Sequence, residues 1–178
     1  MVILNVPPQG PGPFPIADAE AMPRLLAVSA VDHPGGAETT LLRLLGGLRD
    51  HGWRVGLTTP GHGPLRELAL AEGFRWAPLP LGGLPHGAGA RALRSFPAAY
   101  RLARRADIVY LNGGVPARVL PAIAAARASA RPRIVLHIHD MVTRVPRFWR
   151  WADLVLAASG AVAARMPALD PEVVYGPV

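Results

Sequence analysis

The feature that most constrains this fold is a regular alternation of short apolar runs with amphipathic segments. The apolar runs predict strands over residues 25–29, 53–58, 74–79, 107–111, 133–139, 153–158 and 172–175. The segments between them predict helices over residues 37–49, 63–72, 91–105, 116–130 and 161–166. Because the strands are continuously apolar, both of their sides are expected to be covered. The alternation therefore predicts an α/β fold with a doubly wound parallel sheet and helices on both faces.

Composition excludes several classes of protein. The 178 residues include no cysteine, which excludes disulfides and thiolate metal sites. No apolar run approaches the roughly 18 residues of a transmembrane helix. The net charge of +7 comes from arginine, without lysine, and a basic surface attracts phosphate groups in nucleic acids, lipid headgroups or nucleotides. The charge alone does not choose among these.

The first 22 residues differ in composition from the rest. They contain five prolines and no basic residue, a composition that predicts a flexible arm and not a secretory signal, which begins with positive charge. Residues 23–178 are predicted to form a single domain. Met22 precedes the first predicted strand and is a candidate for the natural start of the chain.

Small and polar residues follow four of the predicted strands directly. They are Asp32, His33, Gly35, Gly36 and Glu38 after the first, Asn112, Gly113 and Gly114 after the fourth, His139 and Asp140 after the fifth, and Ser159 and Gly160 after the sixth. Ligands of open parallel sheets bind at the carboxyl ends of the strands. We therefore expect these residues to lie along one edge of the sheet and to include the functional site.

Two adjacent glycines separate the first strand from the first helix. Gly35 and Gly36 let the backbone turn tightly and approach a ligand, and the helix that follows directs its free N–H groups at the same place. The start of such a helix can bind a phosphate or a sugar hydroxyl. A turn without a ligand explains the two glycines equally well. The Gly-x-Gly-x-x-Gly fingerprint is missing, and a Walker motif is impossible without lysine.

Two histidines lie two residues apart on the fifth predicted strand and so share a face. A metal site is one interpretation, but the other histidines show no matching cluster. His137 is better explained as a buried histidine with a satisfied hydrogen bond. His139, at the strand end beside Asp140, is the better candidate for contact with a ligand or for chemistry.

Arginines and aromatic residues are interleaved in two segments. Residues 91–105 place five arginines largely on one side of a predicted helix, and residues 143–153 combine three arginines with Phe148, Trp149 and Trp151. A solvated surface above core aromatics is one explanation. The other is a surface that meets anionic lipid.

The order of the motifs resembles glycosyltransferase family 4, which has the GT-B architecture. The segment "HPGGAETTLLRLLGGLRDHGWRVGLTT" resembles the family's first loop, first helix and second strand, and "GPLRELALAEGF" its second helix and third strand. The later segments "ADIVYLNGG", "IVLHIHD", "WADLVLAASGAVAARM" and "VVYGPV" are similar to family motifs in the same order. The resemblance covers residues 24–178 and implies a Rossmann-like domain.

The resemblance stops where the second half of the family begins. In that family a C-terminal domain holds the sugar nucleotide with a Glu-x7-Glu pair, and no two glutamates here have that spacing. The chain therefore resembles only the N-terminal, acceptor-binding half, with the donor domain absent. The resemblance implies a retaining transferase that is inactive as this half alone and requires no metal or other cofactor.

The resemblance also implies roles for individual residues. Gly35, Gly36 and Glu38 would face the donor diphosphate or the transferred sugar, and His139 would lie at the reacting sugar as the catalytic candidate. The acceptor side would be lined by a second group of residues: Asn112, Gly113, Gly114, Asp140 and Ser159. The family often has histidine within residues 112–114, so the acceptor class stays open.

The first hypothesis is thus a glycosyltransferase acceptor domain in the cytoplasm, with possible peripheral contact at the inner face of the membrane. Its expected partners are a nucleotide-sugar donor and a glycan, lipid or small-molecule acceptor, and no nucleic acid. A non-catalytic α/β module that binds an anionic membrane or partner through its arginine-rich helix is the second hypothesis. A nucleotide-binding α/β protein of another family is the third.

Overall fold

The computed structural model describes residues 22–82, 88–126 and 131–175. The predicted arm, apart from Met22, lies outside the described residues, as do parts of the predicted loop at 80–90 and of the predicted helix at 116–130.

Seven strands form within the described residues, close to their predicted positions. They are β1 (Arg24–Val28), β2 (Arg54–Thr59), β3 (Arg75–Pro78), β4 (Ile108–Asn112), β5 (Arg133–Ile138), β6 (Leu154–Ala157) and β7 (Glu172–Val173). All seven belong to one sheet with the order β3-β2-β1-β4-β5-β6-β7, and every neighbouring pair is parallel. The predicted doubly wound parallel sheet is confirmed.

Helices connect these strands. They are α1 (Gly36–Asp50), α2 (Pro64–Ala71), α3 (Phe96–Ala103), α4 (Leu120–Ala124) and α5 (Gly160–Ala163). Short 3₁₀ segments cover Ala88–Ser95, Pro116–Val119, Arg147–Trp151 and Pro167–Leu169.

The core has two halves, one on each face of the sheet. On one face, α1 and α2 bury leucines such as Leu41, Leu45 and Leu65 against β1 and β2. On the other face, α3, α4 and α5 pack with Trp149 over β4, β5 and β6. Alternate residues of each central strand enter opposite halves, which explains why the strands are apolar throughout.

Prolines shorten two of the predicted helices. The helix predicted at 91–105, with Pro97 near its first turn or at a kink, is a 3₁₀ segment as far as Ser95 and α-helical only from Phe96, so its predicted start was wrong. Pro97 lacks an N–H and is tolerated only within the first turn, which places the start of α3 directly before it. Pro121 stands at the same position in α4, after the 3₁₀ turn Pro116–Val119.

The order of the strands reverses direction between β1 and β4, the two central strands. Their amino ends are joined by Asp107, whose carboxylate accepts hydrogen bonds from Arg24 N at 2.8 Å and from Arg24 Nη2 at 2.9 Å. The Arg24 hydrogen bond holds the pKa of Asp107 below its usual value, against the opposing effect of burial. The opposite, carboxyl ends of β1 and β4 are where a ligand of such a sheet binds.

Replacing a fully buried leucine tests the packing of α1 on the sheet. Leu45 is 0% exposed, so Leu45→Ala is expected to lower the free energy of unfolding by about 3 kcal/mol in urea denaturation. Leu70→Ala on α2, where the leucine is 45% exposed, is the control and should change it by less than about 0.5 kcal/mol. Equal losses in the two variants would contradict this packing.

The Arg24–Asp107 link predicts a stability that depends on pH. Because the folded carboxyl has a lowered pKa, its contribution is present above the unfolded pKa of about 4 and is lost as the pH falls through the folded value. Asp107→Asn should lower stability at pH 7 by at most about 1 kcal/mol, since the pair is half exposed and screened by solvent. In denaturation experiments at strongly acidic pH, the variant and the wild type should have the same free energy of unfolding.

A second acidic residue provides the control for that measurement. The Asp170 carboxylate has no hydrogen bond or ion pair within the described part of the chain, so Asp170→Asn should show no such difference. If Asp107→Asn kept its deficit in strong acid, the ion pair would not be its cause.

Candidate functional site

Because every strand is parallel, the segments that follow the strands meet along one edge, here called the carboxyl rim. At this rim α1 begins at Gly36, β4 ends at Asn112, and His139 follows the last residue of β5. The predicted convergence of these three segments is confirmed, because their side chains are hydrogen-bonded to one another.

A chain of two hydrogen bonds crosses the rim from α1 to β5. Asn112 Nδ2 donates to Glu38 Oε1 at 3.4 Å, and Asn112 Oδ1 lies 2.8 Å from His139 Nε2. Asn112 is 5% exposed, so its amide is buried between two polar partners on neighbouring elements. We call these three residues the rim triad.

The direction of these bonds follows from the chemistry of the carboxylate. An ionised Glu38 only accepts hydrogen bonds, so the Asn112 amide nitrogen faces it and the amide oxygen faces His139. His139 must then donate from Nε2, and its Nδ1 carries the lone pair when the ring is neutral. Within the described residues Nδ1 has no hydrogen-bond partner.

Burial keeps His139 largely neutral. Desolvation lowers its pKa below the usual value, although the negative charges of Asp140 and Glu38 act in the opposite direction. The half-buried ring therefore presents a hydrogen-bond acceptor at neutral pH rather than a positive charge.

The two glycines at the start of α1 have different local requirements. A Cβ on Gly35 would lie 2.9 Å from Glu38 Oε2, so a side chain there would require the end of the Glu38 side chain to shift. A Cβ on Gly36 would meet nothing within 4 Å. Gly35 is thus limited only by the flexible end of Glu38, and nothing in the described structure requires glycine at Gly36.

The start of α1 has no side-chain cap. Its N-cap residue is Gly35, which contributes no side-chain acceptor, and Glu38 is the acidic residue of the first turn. Glycine at the N-cap leaves the first N–H groups of the helix to water or to a ligand.

Local structure already explains the second glycine pair. Gly113 has a φ of +111°, which L side chains rarely adopt, and a Cβ on Gly114 would lie 3.3 Å from the Trp149 ring. Both residues directly follow Asn112, so the turn that they form holds the amide at the end of β4.

The remaining predicted site residues lie at the same rim. Asp140 is exposed and acts on His139 through its charge. Ser159 follows β6, the strand next to β5, and caps α5 by accepting a hydrogen bond from Val162 N at 3.3 Å. Among the described residues Ser159 has no hydrogen bond to the rim triad.

Tyr110 supports the buried histidine, although it was not singled out from the sequence. The Tyr110 hydroxyl is hydrogen-bonded to Nδ1 of His137, the histidine that was expected to be buried and satisfied. His137 is 5% exposed and its Nε2 is left without a partner, so the expectation holds for one ring nitrogen only. Tyr110 lies two residues before Asn112 and so shares its face of the sheet, a spacing that could have identified it.

Gly63 is another residue that sequence analysis did not single out. A Cβ there would clash with the carbonyl oxygen of Asp32, which also accepts a hydrogen bond from Leu65 N at 2.9 Å. The loop before α1 is therefore held against the start of α2.

His137 and His139 have no further metal ligands beside them among the described residues. Within residues 22–82, 88–126 and 131–175, no group of three or more histidines and carboxylates is placed to hold a metal ion.

The segments rich in arginine and aromatic residues lie on the face of the sheet opposite α1. Trp149 is part of the core there, whereas Trp151 is 48% exposed and Leu93 is 59% exposed. The arginines of these two segments are exposed. In the part of the chain that is described, no helix has the length and apolarity needed to cross a membrane.

Comparison with solved structures finds the same fold in part of several larger proteins. Anabaena Alr3699/HepE in complex with UDP-glucose matches with a TM-score of 0.65 and 22% identity, over 87% of this chain and 44% of that protein. A glycosyltransferase from Rickettsia africae matches with a TM-score of 0.65 and 15% identity, over 86% and 42% of the two chains. Acinetobacter baumannii MurG matches with a TM-score of 0.58 and 17% identity, over 76% and 41%.

The chain thus spans less than half the length of these solved structures. A search of the curated proteins found no match. The family model described as Glycosyltransferase Family 4 matches residues 34–178, which include the rim triad and most of the sheet. The chain belongs to Glycosyltransferase Family 4, and its sheet has the Rossmann-like fold of part of the GT-B glycosyltransferases.

Proposed function

We propose that this chain is the acceptor-binding half of a retaining glycosyltransferase that moves a sugar from a nucleotide-sugar donor to an acceptor. The observation that supports this most strongly is the rim triad, Glu38–Asn112–His139, at the carboxyl rim beside the uncapped start of α1. A donor-binding domain completes the enzyme in this proposal, since the chain spans only 44% of the Anabaena protein. That protein was crystallised with UDP-glucose, which makes a nucleotide sugar the class of donor to test first.

The start of α1 faces the donor in this proposal. The N–H groups near Gly36 and the positive end of the helix dipole stabilise negative charge on the leaving diphosphate. Gly36 permits close approach, because the space around its Cα is open. Glu38 already carries a negative charge, so its carboxylate is suited to accept hydrogen bonds from sugar hydroxyls rather than to contact phosphate.

His139 acts at the reacting sugar. Its Nε2 is bonded to Asn112, and the lone pair on Nδ1 is available to accept a hydrogen bond from a hydroxyl of the transferred sugar or of the acceptor. A neutral ring suits this role, and burial favours that form at pH 7. Asn112 positions the ring.

The acceptor binds on the other side of His139. The turn of Gly113 and Gly114, the exposed Asp140 and the hydroxyl of Ser159 line this side in the proposal. Two cavities of about 500 and 410 Å³ lie elsewhere, among residues such as Asp153 and Arg54 that begin or precede strands. They are at the amino ends of the strands, whereas ligands of open parallel sheets bind at the carboxyl ends.

The exposed apolar side chains support a second role at an anionic membrane surface. Leu93 and Trp151 project among arginines on the face opposite α1, and such a combination binds the interface of acidic lipids. The membrane contact would bring the enzyme to a lipid acceptor at the inner face of the membrane.

Substitutions at the rim test the site in the protein that combines this chain with a donor-binding domain. The isolated chain should release no UDP from UDP-glucose, and the combined protein should transfer the sugar with retained configuration, observed by NMR of the product. His139→Ala should lower kcat about 100-fold, because the hydrogen bond to the reacting sugar is lost.

Gly36→Asp is the sharper variant, because glycine is not needed there for packing. A negative charge at the helix start should lower the transfer rate about 100-fold, whereas Gly36→Ala should retain most of it. Gly47→Asp, in the same helix and equally free of contacts, is the control for an added charge on α1. Wild-type rates for both Gly36→Asp and His139→Ala would show that the site is assigned wrongly.

Vesicle binding tests the membrane role. The chain should sediment with phosphatidylglycerol vesicles and not with phosphatidylcholine vesicles, and added salt should weaken the binding. Leu93→Ala and Trp151→Ala should each lower the affinity about tenfold, since an inserted apolar side chain contributes about 1.5 kcal/mol. Leu70 on the α1 face is 45% exposed, and Leu70→Ala should have no effect. Equal binding to the two kinds of vesicle would contradict a role for this surface in binding anionic lipid.

A further inference from the structure

A tyrosine and a second histidine lie directly beneath the rim triad and have no part in the proposed chemistry. β4 and β5 pair so that Asn112 is the partner of His137, and Tyr110 is the partner of Val135. Side chains two residues apart on a strand share a face, so Tyr110, Asn112, His137 and His139 all lie on the α1 side of the sheet. Tyr110 itself belongs to the core under α1.

The Tyr110 hydroxyl is the hydrogen-bond partner of His137. Burial raises the pKa of Tyr110, so the phenol keeps its proton. Within the described residues His137 Nδ1 is the one hydrogen-bond partner of that hydroxyl, and we assign the O–H as the donor of this bond. The proton of a neutral His137 then sits on Nε2, which is buried and has no acceptor.

An orphaned Nε2–H is costly in a folded core. A buried donor without a partner loses its hydrogen bonds to water and gains none in return, and an apolar side chain of similar size would avoid that cost. Such a group in a native structure needs an explanation beyond stability. The contact between the His137 ring and the His139 ring at the rim supplies such an explanation.

His137 packs directly against His139. The two ring centroids lie 4.0 Å apart with an interplanar angle of 41°. His139 is therefore held from two directions, by the Asn112 amide at Nε2 and by the His137 ring against its face. His137 is in turn fixed by Tyr110.

We propose that Tyr110 and His137 are positioning residues that hold the ring of His139 at the rim with its Nδ1 unbonded. The significance of this positioning for sugar transfer rests on the function proposed above, whereas the positioning itself is a property of this chain alone. A fixed ring keeps Nδ1 aimed at one place, and a misplacement of about 1 Å at a reacting group can lower a rate about 100-fold.

The charges around His139 explain why its ring needs support. Glu38 on α1 and the adjacent Asp140 both favour the protonated ring, whereas burial favours the neutral ring. On β5, His137 stays neutral because burial and the proximity of His139 lower its pKa to about 4. On β4, Tyr110 is uncharged. A ring that moved outward would be better solvated and would gain a proton more easily.

NMR of the histidine side chains tests the proposal without donor or acceptor. In the wild-type chain at pH 7, long-range ¹H–¹⁵N correlations should show His137 and His139 each protonated on Nε2, with nuclear Overhauser contacts between their rings. Tyr110→Phe removes a single oxygen. It should give His137 a mixture of tautomers, weaken the contacts between the rings and raise the pKa of His139 toward its usual value.

Two further variants make the result decisive. Tyr100→Phe removes a hydroxyl from α3, on the opposite face, and should leave both histidines unchanged. His137→Gln removes the supporting ring and should raise the pKa of His139, even if Tyr110→Phe fails to fold. A wild-type His137 protonated on Nδ1, or an unchanged His139 in the folded variants, would overturn the proposal. These spectra are recorded without donor or acceptor. An absence of sugar transfer in the combined protein would therefore count against the proposed function only.

Discussion

The buried amide of Asn112 is the contact on which the candidate site depends. It is the last residue of β4, and it joins the first turn of α1 to the end of β5 through Glu38 and His139. Only a parallel arrangement with β4 between β1 and β5 brings these three segments together. The amide has one donor and one acceptor side, so it also determines which nitrogen of His139 carries the proton.

The glycines around this amide show that one residue type serves different needs. Gly35 leaves space beside the Glu38 carboxylate, and Gly114 leaves space for the Trp149 ring. Gly113 has a positive φ that residues with L side chains rarely adopt. Gly36 has none of these local reasons. A ligand at the start of α1 would explain it, and this makes Gly36 more informative about function than the glycines that packing already explains.

Much of the fold could be predicted because it depends on local pattern. Continuous apolar strands and leucines at helical spacing indicate a doubly wound sheet, and parallel strands bring their carboxyl ends to one edge whatever the detailed packing. Asn112 and His139 could therefore be placed at the same rim from sequence. The helix predicted over residues 91–105, with Pro97 near its first turn or at a kink, is α-helical only from Phe96, and sequence spacing did not distinguish the 3₁₀ segment before it from an α-helix.

The supporting contacts were beyond sequence analysis because they depend on register. Whether Tyr110 reaches His137 is decided by the pairing of β4 with β5, and a shift of one residue would send the two side chains to opposite faces. The same holds for the fit of Gly114 against Trp149, which joins segments 35 residues apart in the chain.

A crystal structure of the protein combined with a donor-binding domain and a nucleotide sugar would test the central claim most directly. The account predicts that the transferred sugar lies within hydrogen-bonding distance of His139 Nδ1, with a diphosphate oxygen close to the N–H groups at the start of α1. A nucleotide sugar bound away from both the rim triad and the start of α1 would contradict it.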